Sequence, residues 1–402
     1  MVAMLTPEEA QARVLALVQP MPVKRISCED AVGLYLAHDL RARRTQPPAN
    51  LSAMDGYAIG GDAAGPWRLV GESRAGAPFA RALEAGETVR ISTGAHMPVG
   101  ADRVLIQENA KVEGETVSCV EDFPDPLRHV RQRGSDFAEG DVVVCAGTRI
   151  GPAQLALALS AGHAELDIRR APSVAVLDSG DELVADPMDC AEHQIPASNG
   201  AMIGAMLKAI GCRVTRLGPV PDDADALAKA LAEAEGADLL VTTGGASVGD
   251  HDLMRPALEA WGANLDFWKV AMKPGKPIMV ATRERSDGRQ VIFGLPGNPV
   301  SSFVTCFLFV LPLIRAAMGA ADPLPRRALL PSGCELPPVG TRHEFLRARW
   351  DGKHVTLADS QDSSALGALA NANCLIDRLP NGGRIEAGTS VPVILLENGG
   401  IA

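Results

Sequence analysis

Aromatic side chains are scarce. Phenylalanine, tryptophan and tyrosine together make up 4% of the 402 residues, too few to build base-stacking platforms for nucleic acid. Positive charge is short as well. A formal net charge of -11 at pH 7 argues against a broad nucleic-acid surface and leaves room only for local basic pockets. The eight cysteines (Cys28, Cys119, Cys145, Cys190, Cys212, Cys306, Cys334 and Cys374) contain no Cys-x-x-Cys pair and no zinc-ligand spacing. They are read as reduced thiols of a cytoplasmic protein. Long apolar runs are missing too. The most hydrophobic stretch, 303–314, falls short of the roughly 20 residues of a membrane span, and Pro312 interrupts it. It is expected as a buried helix of a soluble protein. The N-terminal Leu-Thr-Pro-Glu-Glu reads as a capped helix start, without the basic flank and apolar block of a signal peptide.

What is present is globular: 47% hydrophobic and 22% charged residues, in a chain long enough for two to four cores. Apolar positions at helical spacing predict a helix over 6–20. A break at Arg43-Arg44-Thr45-Gln46-Pro47-Pro48 precedes short strand-like runs with glycine turns up to about residue 140. Residues 151–163 return to helix, with Pro152 in its first turn, expected to pack with the N-terminal helix if the β-rich stretch is an insertion. From 171 the pattern alternates strand, turn and helix: strands at 173–177, 213–217 and 238–242, helices at 199–210 (capped by Asn199), 222–234 and 252–260. Strands near 278–281 and 291–293 precede a helix from Val300. Such alternation predicts a parallel sheet covered by helices on both faces. Pro323, Pro325 and Pro331 mark a last boundary, followed by short strands of a small β-barrel or sandwich. The fold class is thus multidomain α/β. It has an extended helical domain (1–45 with 140–170), an inserted β-rich domain (46–139), a central doubly wound, mostly parallel domain (171–321) and a C-terminal β-barrel (322–402).

In open α/β sheets, ligands bind beyond the carboxyl ends of the strands. Four loops there carry polar, conformationally restricted sequence: 178–183, 242–252, 269–276 and 294–299. Any one alone is most often an ordinary turn; four at one sheet edge point to a cleft. The run Gly244-Gly245-Ala246-Ser247-Val248-Gly249 can aim several backbone N–H groups and the Ser247 hydroxyl at an anion. It lacks the ending of a nucleotide P-loop and the full dinucleotide fingerprint. Asp222, Asp252 and Glu182 are carboxylates suited to Mg²⁺ beside a phosphate; capping a helix is the competing role for Asp222 and Asp223. Lys269, Lys273 and Lys276 surround a loop stiffened by Pro274 and Pro277, which lowers the ordering cost of holding cations on a ligand. Pro296, Gly297 and Asn298 present backbone at a helix start.

Together these segments resemble the molybdopterin molybdenumtransferase family, which contains the molybdenum-inserting domain of gephyrin. The matching runs are Ser-Ala-Met-Asp-Gly-Tyr-Ala (52–58), Thr-Gly-Ala (93–95) with Pro-Val-Gly-Ala-Asp (98–102), and Gly-Asp-Glu-Leu (180–183). Gly-Gly-Ala-Ser-Val-Gly-Asp-His-Asp (244–252), Lys-Val-Ala-Met-Lys-Pro-Gly-Lys-Pro (269–277) and Leu-Pro-Gly-Asn-Pro (295–299) continue the order. Glu-Phe-Leu-Arg (344–347) and Asp-Ser-Ser-Ala-Leu (362–366) fit weakly, and Ser179 and Ala246 replace the more usual Thr and Val. The resemblance implies a homodimer whose cleft takes loops from both chains, small-molecule substrates, and no nucleic-acid or membrane partner. Those substrates are adenylylated molybdopterin and molybdate, and the products are molybdenum cofactor and AMP. It implies molybdate on Lys273, Lys276, Arg347 and Ser363, and Mg²⁺ or the attacking water on Asp222, Asp252 and Glu182. Pterin phosphate falls to the Gly244, Gly245, Ser247 and Gly249 turn, phosphate charge to Lys269, and Asp55 and Thr93 reach over from the partner subunit. The molybdopterin adenylyltransferase and molybdoenzyme acceptors are implied as partners. Two rival readings are that same adenylyltransferase activity, which the β-rich and C-terminal segments argue against, and a gephyrin-like scaffold without catalysis.

Overall fold

The computed structural model describes residues 4–121, 123–244, 253–286 and 288–396. Its centre is a six-stranded sheet in the order Arg213–Val220, Ser173–Ser179, Leu239–Thr243, Gly288–Leu295, Met279–Arg285, Asn264–Trp268. The first four strands are parallel; Met279–Arg285 runs antiparallel to both of its neighbours. The sheet is therefore mixed at one edge, in keeping with a mostly parallel sheet. A tight return needs no crossover helix. The edge strand Asn264–Trp268 has no counterpart among the strands predicted from sequence. Gly262, with φ +93°, turns the chain just ahead of it.

Val174, Val176, Val241, Phe293 and Leu295 on one face pack with Ile203, Leu207 and the helix from Pro299. Ala175, Leu177, Leu240 and Ile292 on the other face meet Leu227, Leu231 and Leu258. Two-sided burial is why these strands read as nearly continuous apolar runs. The helix from Pro299 to Ala317 is 19 residues long, with mean hydropathy 1.9 and 94% of its apolar window buried in protein. Pro312 does not interrupt it. The turn Cys306–Val310 widens to π geometry just ahead of the proline, and the Leu308 carbonyl, which Pro312 cannot serve, accepts a 3.0 Å bond from the Gln11 side-chain amide.

Gln11 lies on the N-terminal helix Pro7–Ala16, which starts with a reciprocal Thr6–Glu9 cap and ends four residues before Pro20. Ala10 and Val14 bury in the same core as Phe309 and Leu313. This corrects the expectation that the helix pairs with residues 151–163. Helix Pro152–Ser160 instead packs over Cys28, Leu36, Val144, Leu166 and Ile168. The expected helical domain also holds paired strands: Val23–Ser27 pairs with Glu165–Arg169, and Leu40–Arg41 with Val142–Val144. Both helices show the right periodicity, but periodicity does not say which core receives the apolar stripe.

Between these pairs stands the β-rich sheet, ordered Arg103–Ile106, Gly56–Ile59, Glu87–Ile91, Trp67–Ser73, Thr116–Cys119, Ala110–Glu113. At the other end of the chain, His343–Trp350, Cys374–Arg378, Ser390–Leu395 and Arg327–Pro331 pair antiparallel in that order. Val355–Leu357 adds to His343–Trp350 and meets Ser332, with Gly333 N–H bonded to the Val355 carbonyl at 2.8 Å. The sheet thereby curls into a half-barrel around Leu346, Ile376, Val391 and Val393.

Candidate active site

Parallel register brings the carboxyl ends of the central strands to one edge: Ser179 faces Val220, Asp178 faces Thr243, and Thr243 faces Leu295. Trp268 and Gly294 both face Met279, where the antiparallel strand begins. The lysine segment 269–278 therefore emerges at the same edge as the glycine turn. Sequence reasoning places four loops there, and the topology agrees.

These loops touch. Gly244 has φ +89°, and a Cβ on it would lie 2.4 Å from the Ser179 carbonyl oxygen, so only glycine fits. The Gly297 turn lies against Gly244, a Cβ built on Gly297 being 4.0 Å from the Gly244 Cα. Asn199 does not cap its helix, which starts at Ser198 after Ala197. Its amide instead donates to the Gly297 carbonyl at 2.6 Å, and the Ser302 hydroxyl donates to Pro296. The Asn298 amide donates to Ser363 Oγ at 3.0 Å, and Val300 N–H to the Ser363 carbonyl at 3.2 Å. The C-terminal sheet's loop is thereby tied to the start of the central helix. Gly245, Ser247, Gly249 and Asp252 lie outside the described residues.

The acids separate by role. Asp223 caps helix Ala224–Glu233, accepting from Asp225 and Ala226 N–H groups. Asp222 does not cap; its N–H donates to Asp181 Oδ1 at 3.0 Å. Burial, then the charges of Asp181 and Glu182, hold the Asp222 carboxyl above the usual range. Among the described residues no three His, Cys, Asp or Glu side chains converge on one metal position. Asp178 was not singled out by sequence reasoning. It is 1% exposed, accepts from Thr243 Oγ1 at 2.5 Å and faces Arg216 at 3.3 Å, locking the first turn to the strand that carries Gly244. An Asp inside a strand gives no sign of partners 38 and 65 residues away.

The cations divide as well. Lys269 has φ +100°, a region costly for a side chain. Its N–H donates to Ile278, which fixes the lysine loop at its base. Gly275 rests on the helix, where a Cβ would come within 2.5 Å of Thr305 Cγ2. Lys276 is exposed. Lys273 Nζ lies 3.5 Å from Glu344 Oε1. Arg347, expected beside it on molybdate, projects from the opposite face of Glu344's strand, His343–Trp350. Phe345 belongs to the central core and Leu346 to the half-barrel interior, so positions 344 and 347 point apart. The Arg347 guanidinium is 1% exposed and donates to the Ser360 and Asp362 carbonyls, both at 3.0 Å. It braces the loop that presents Ser363.

Asp55 and Thr93 meet on the β-rich sheet, away from these turns in sequence and in sheet. Thr93 N–H donates to Asp55 Oδ1 at 2.6 Å. The Thr93 backbone and hydroxyl hold the exposed Asp55 carboxyl below the usual range.

Three family descriptions match the chain in order: the MoeA N-terminal region (domain I and II) over 5–162, a probable molybdopterin binding domain over 175–316, and the MoeA C-terminal region (domain IV) over 330–396. A molybdopterin molybdenumtransferase of Haemophilus influenzae is 33% identical over 401 residues, covering 97% of this chain and 98% of its own. One from Staphylococcus aureus is 33% identical over 408 residues, covering 97% and 95%. A molybdopterin biosynthesis MoeA protein of Pyrococcus horikoshii shares the fold with TM-score 0.84 at 22% identity, covering 98% of this chain and 100% of its own. With this match along its whole length, the chain belongs to the molybdopterin molybdenumtransferase family.

Proposed function

We propose that this protein inserts molybdenum into adenylylated molybdopterin, releasing molybdenum cofactor and AMP. The observation that carries the reading is the meeting of the Ser179, Gly244, Gly297 and lysine turns at one sheet edge, with Ser363 bonded to Asn298. Donors for a phosphate, carboxylates for a cation and lysines for an oxyanion then border one crevice.

The Gly244 turn, with Gly245, Ser247 and Gly249, holds the pterin phosphate, and Lys269 offsets its charge. Pro296 and Gly297 shape the wall. Lys273, Lys276 and Ser363 take molybdate, which is substrate and not a resident cofactor, while Arg347 positions Ser363. Asp222, Glu182 and Asp252 suit Mg²⁺. Burial, and then the charges of Asp181 and Glu182, raise the Asp222 pKa; a divalent cation relieves the charge repulsion. When bound, Mg²⁺ neutralises the pyrophosphate and polarises its phosphoryl oxygens. Water attacks the α-phosphorus, its proton passes to an Asp222 or Glu182 carboxylate, and the bond to the pterin phosphate breaks, freeing AMP. The lysines keep molybdate against the exposed dithiolene sulfurs.

Asp55 and Thr93 complete the cleft from a second copy of the chain, which makes the working unit a homodimer. The eight unpaired cysteines accord with a cytoplasmic enzyme.

Asp222→Ala is expected to bind adenylylated molybdopterin and to release AMP about a hundredfold more slowly; unaltered single-turnover release would refute the role. Lys273→Ala is expected to raise the molybdate concentration needed for half-maximal cofactor formation about tenfold, and an unchanged dose–response would remove it from the anion site.

A further inference from the structure

Three charged residues stand in register across the C-terminal sheet. Lys273 faces Glu344 on a parallel strand, and Glu344 faces Arg378 on an antiparallel one. Residues opposite one another on a ladder project from the same face, so the row reads positive, negative, positive. Leu346 and Ile376, two positions further along, line the half-barrel interior; the charged row lies at its mouth.

The three are held very differently. Lys273 has a half-exposed side chain 3.5 Å from a Glu344 carboxylate that is 16% exposed. Arg378 is buried, and one terminal nitrogen donates to the Gly383 carbonyl at 2.6 Å. Its Nη1 has no hydrogen-bond partner among the described residues. Burial lowers the Arg378 pKa and the Glu344 charge works against that. A buried guanidinium with a spare donor needs a negative neighbour. Glu344 thus serves a fixed cation on one side and a movable one on the other.

We propose that Glu344 is a positioning residue that sets molybdate affinity by competing with the oxyanion for the Lys273 ammonium, and that Arg378 limits this competition. The inference rests on the reading of Lys273 as a molybdate ligand. Removing the Glu344 charge frees Lys273 and takes a like charge away from the incoming anion. Removing the Arg378 charge leaves Glu344 with Lys273 alone and tightens that pair. The two changes move affinity in opposite directions, which a merely structural role for both residues does not require.

The test measures binding of sodium molybdate to the full-length protein by calorimetry, together with kcat and KM for molybdate in AMP release. Glu344→Gln is expected to lower Kd and KM about three- to tenfold with little change in kcat, the size expected from removing a nearby like charge. Arg378→Met is expected to raise both by a similar factor, and both effects shrink at high salt. Should Arg378→Met fail to fold, the cycle with Lys273→Ala carries the test: in that background Glu344→Gln is expected to keep only the smaller part of its effect, the part owed to lost repulsion of the anion. If Lys273→Ala weakens binding while folded Glu344→Gln leaves Kd unchanged or higher, the inference is overturned. If Lys273→Ala itself leaves Kd unchanged, the anion role of Lys273 fails first.

Discussion

At Asp222 the sequence supports two roles, cap or ligand, and the surroundings separate them. Asp223 takes the cap, and Asp222 is left beside Asp181 and Glu182 with its pKa raised. A carboxyl whose folded pKa is raised costs stability when ionised, and the cost disappears as pH falls through the folded value toward the ordinary one. Asp222→Asn is therefore expected to raise Tm at pH 7 without Mg²⁺, with the gain gone near pH 3.5, roughly the ordinary carboxylate range; scanning calorimetry at both pH values checks the sign. Glu87 shows the reverse case. Arg81, the Glu84 N–H and Arg68 pull its pKa from 4.5 to about 2. Its stabilisation is full above the ordinary value and lost as pH falls toward 2. Glu87→Gln is expected to lower Tm at pH 7 and to match the parent protein near pH 2. Lys276, Gly244 and Gly297 were legible because proline and glycine restrict the chain locally. Asp178, Asn199 and Glu344 were not, because each takes its role from a partner 65 or more residues away.

The element most altered between sequence and structure is the helix Pro299–Ala317. A proline inside an apolar run reads as a break, yet the helix continues because a π turn and a side chain from the first helix accommodate it. The donor could not be read locally: Gln11 lies 297 positions from Leu308. Gln11→Ala leaves the Leu308 carbonyl buried without that donor, at a cost of about 1–3 kcal/mol. Urea unfolding should show a lower midpoint with unchanged slope; an unchanged midpoint would mean that the π turn alone satisfies the carbonyl. The same bond fastens the N-terminal helix to the core helix, where an insertion of the β-rich stretch is expected to pair it with residues 151–163.

For the whole molecule, alternation of strand, turn and helix gave the parallel part of the central layer, since Ser173–Ser179, Leu239–Thr243 and Gly288–Leu295 are buried on both faces and the turns carry glycine, proline or aspartate. The antiparallel edge, the strand pairs within the region expected as helical, and the opposite projection of Lys273 and Arg347 depend on how sheets meet, which no local pattern encodes. The site is nonetheless a property of the assembly of parts. In the proposed reading the phosphate turn comes from the central sheet, Ser363 from the C-terminal unit through Asn298, and the Asp55–Thr93 pair from the β-rich sheet of a second copy. The most direct measurement is a single-turnover reaction of the purified protein with adenylylated molybdopterin and Mg²⁺, following AMP and protein-bound molybdenum against molybdate concentration. The expected result is AMP release in step with molybdenum incorporation. Adenylate that stays intact at saturating molybdate would contradict the assignment of these converging turns to molybdenum insertion.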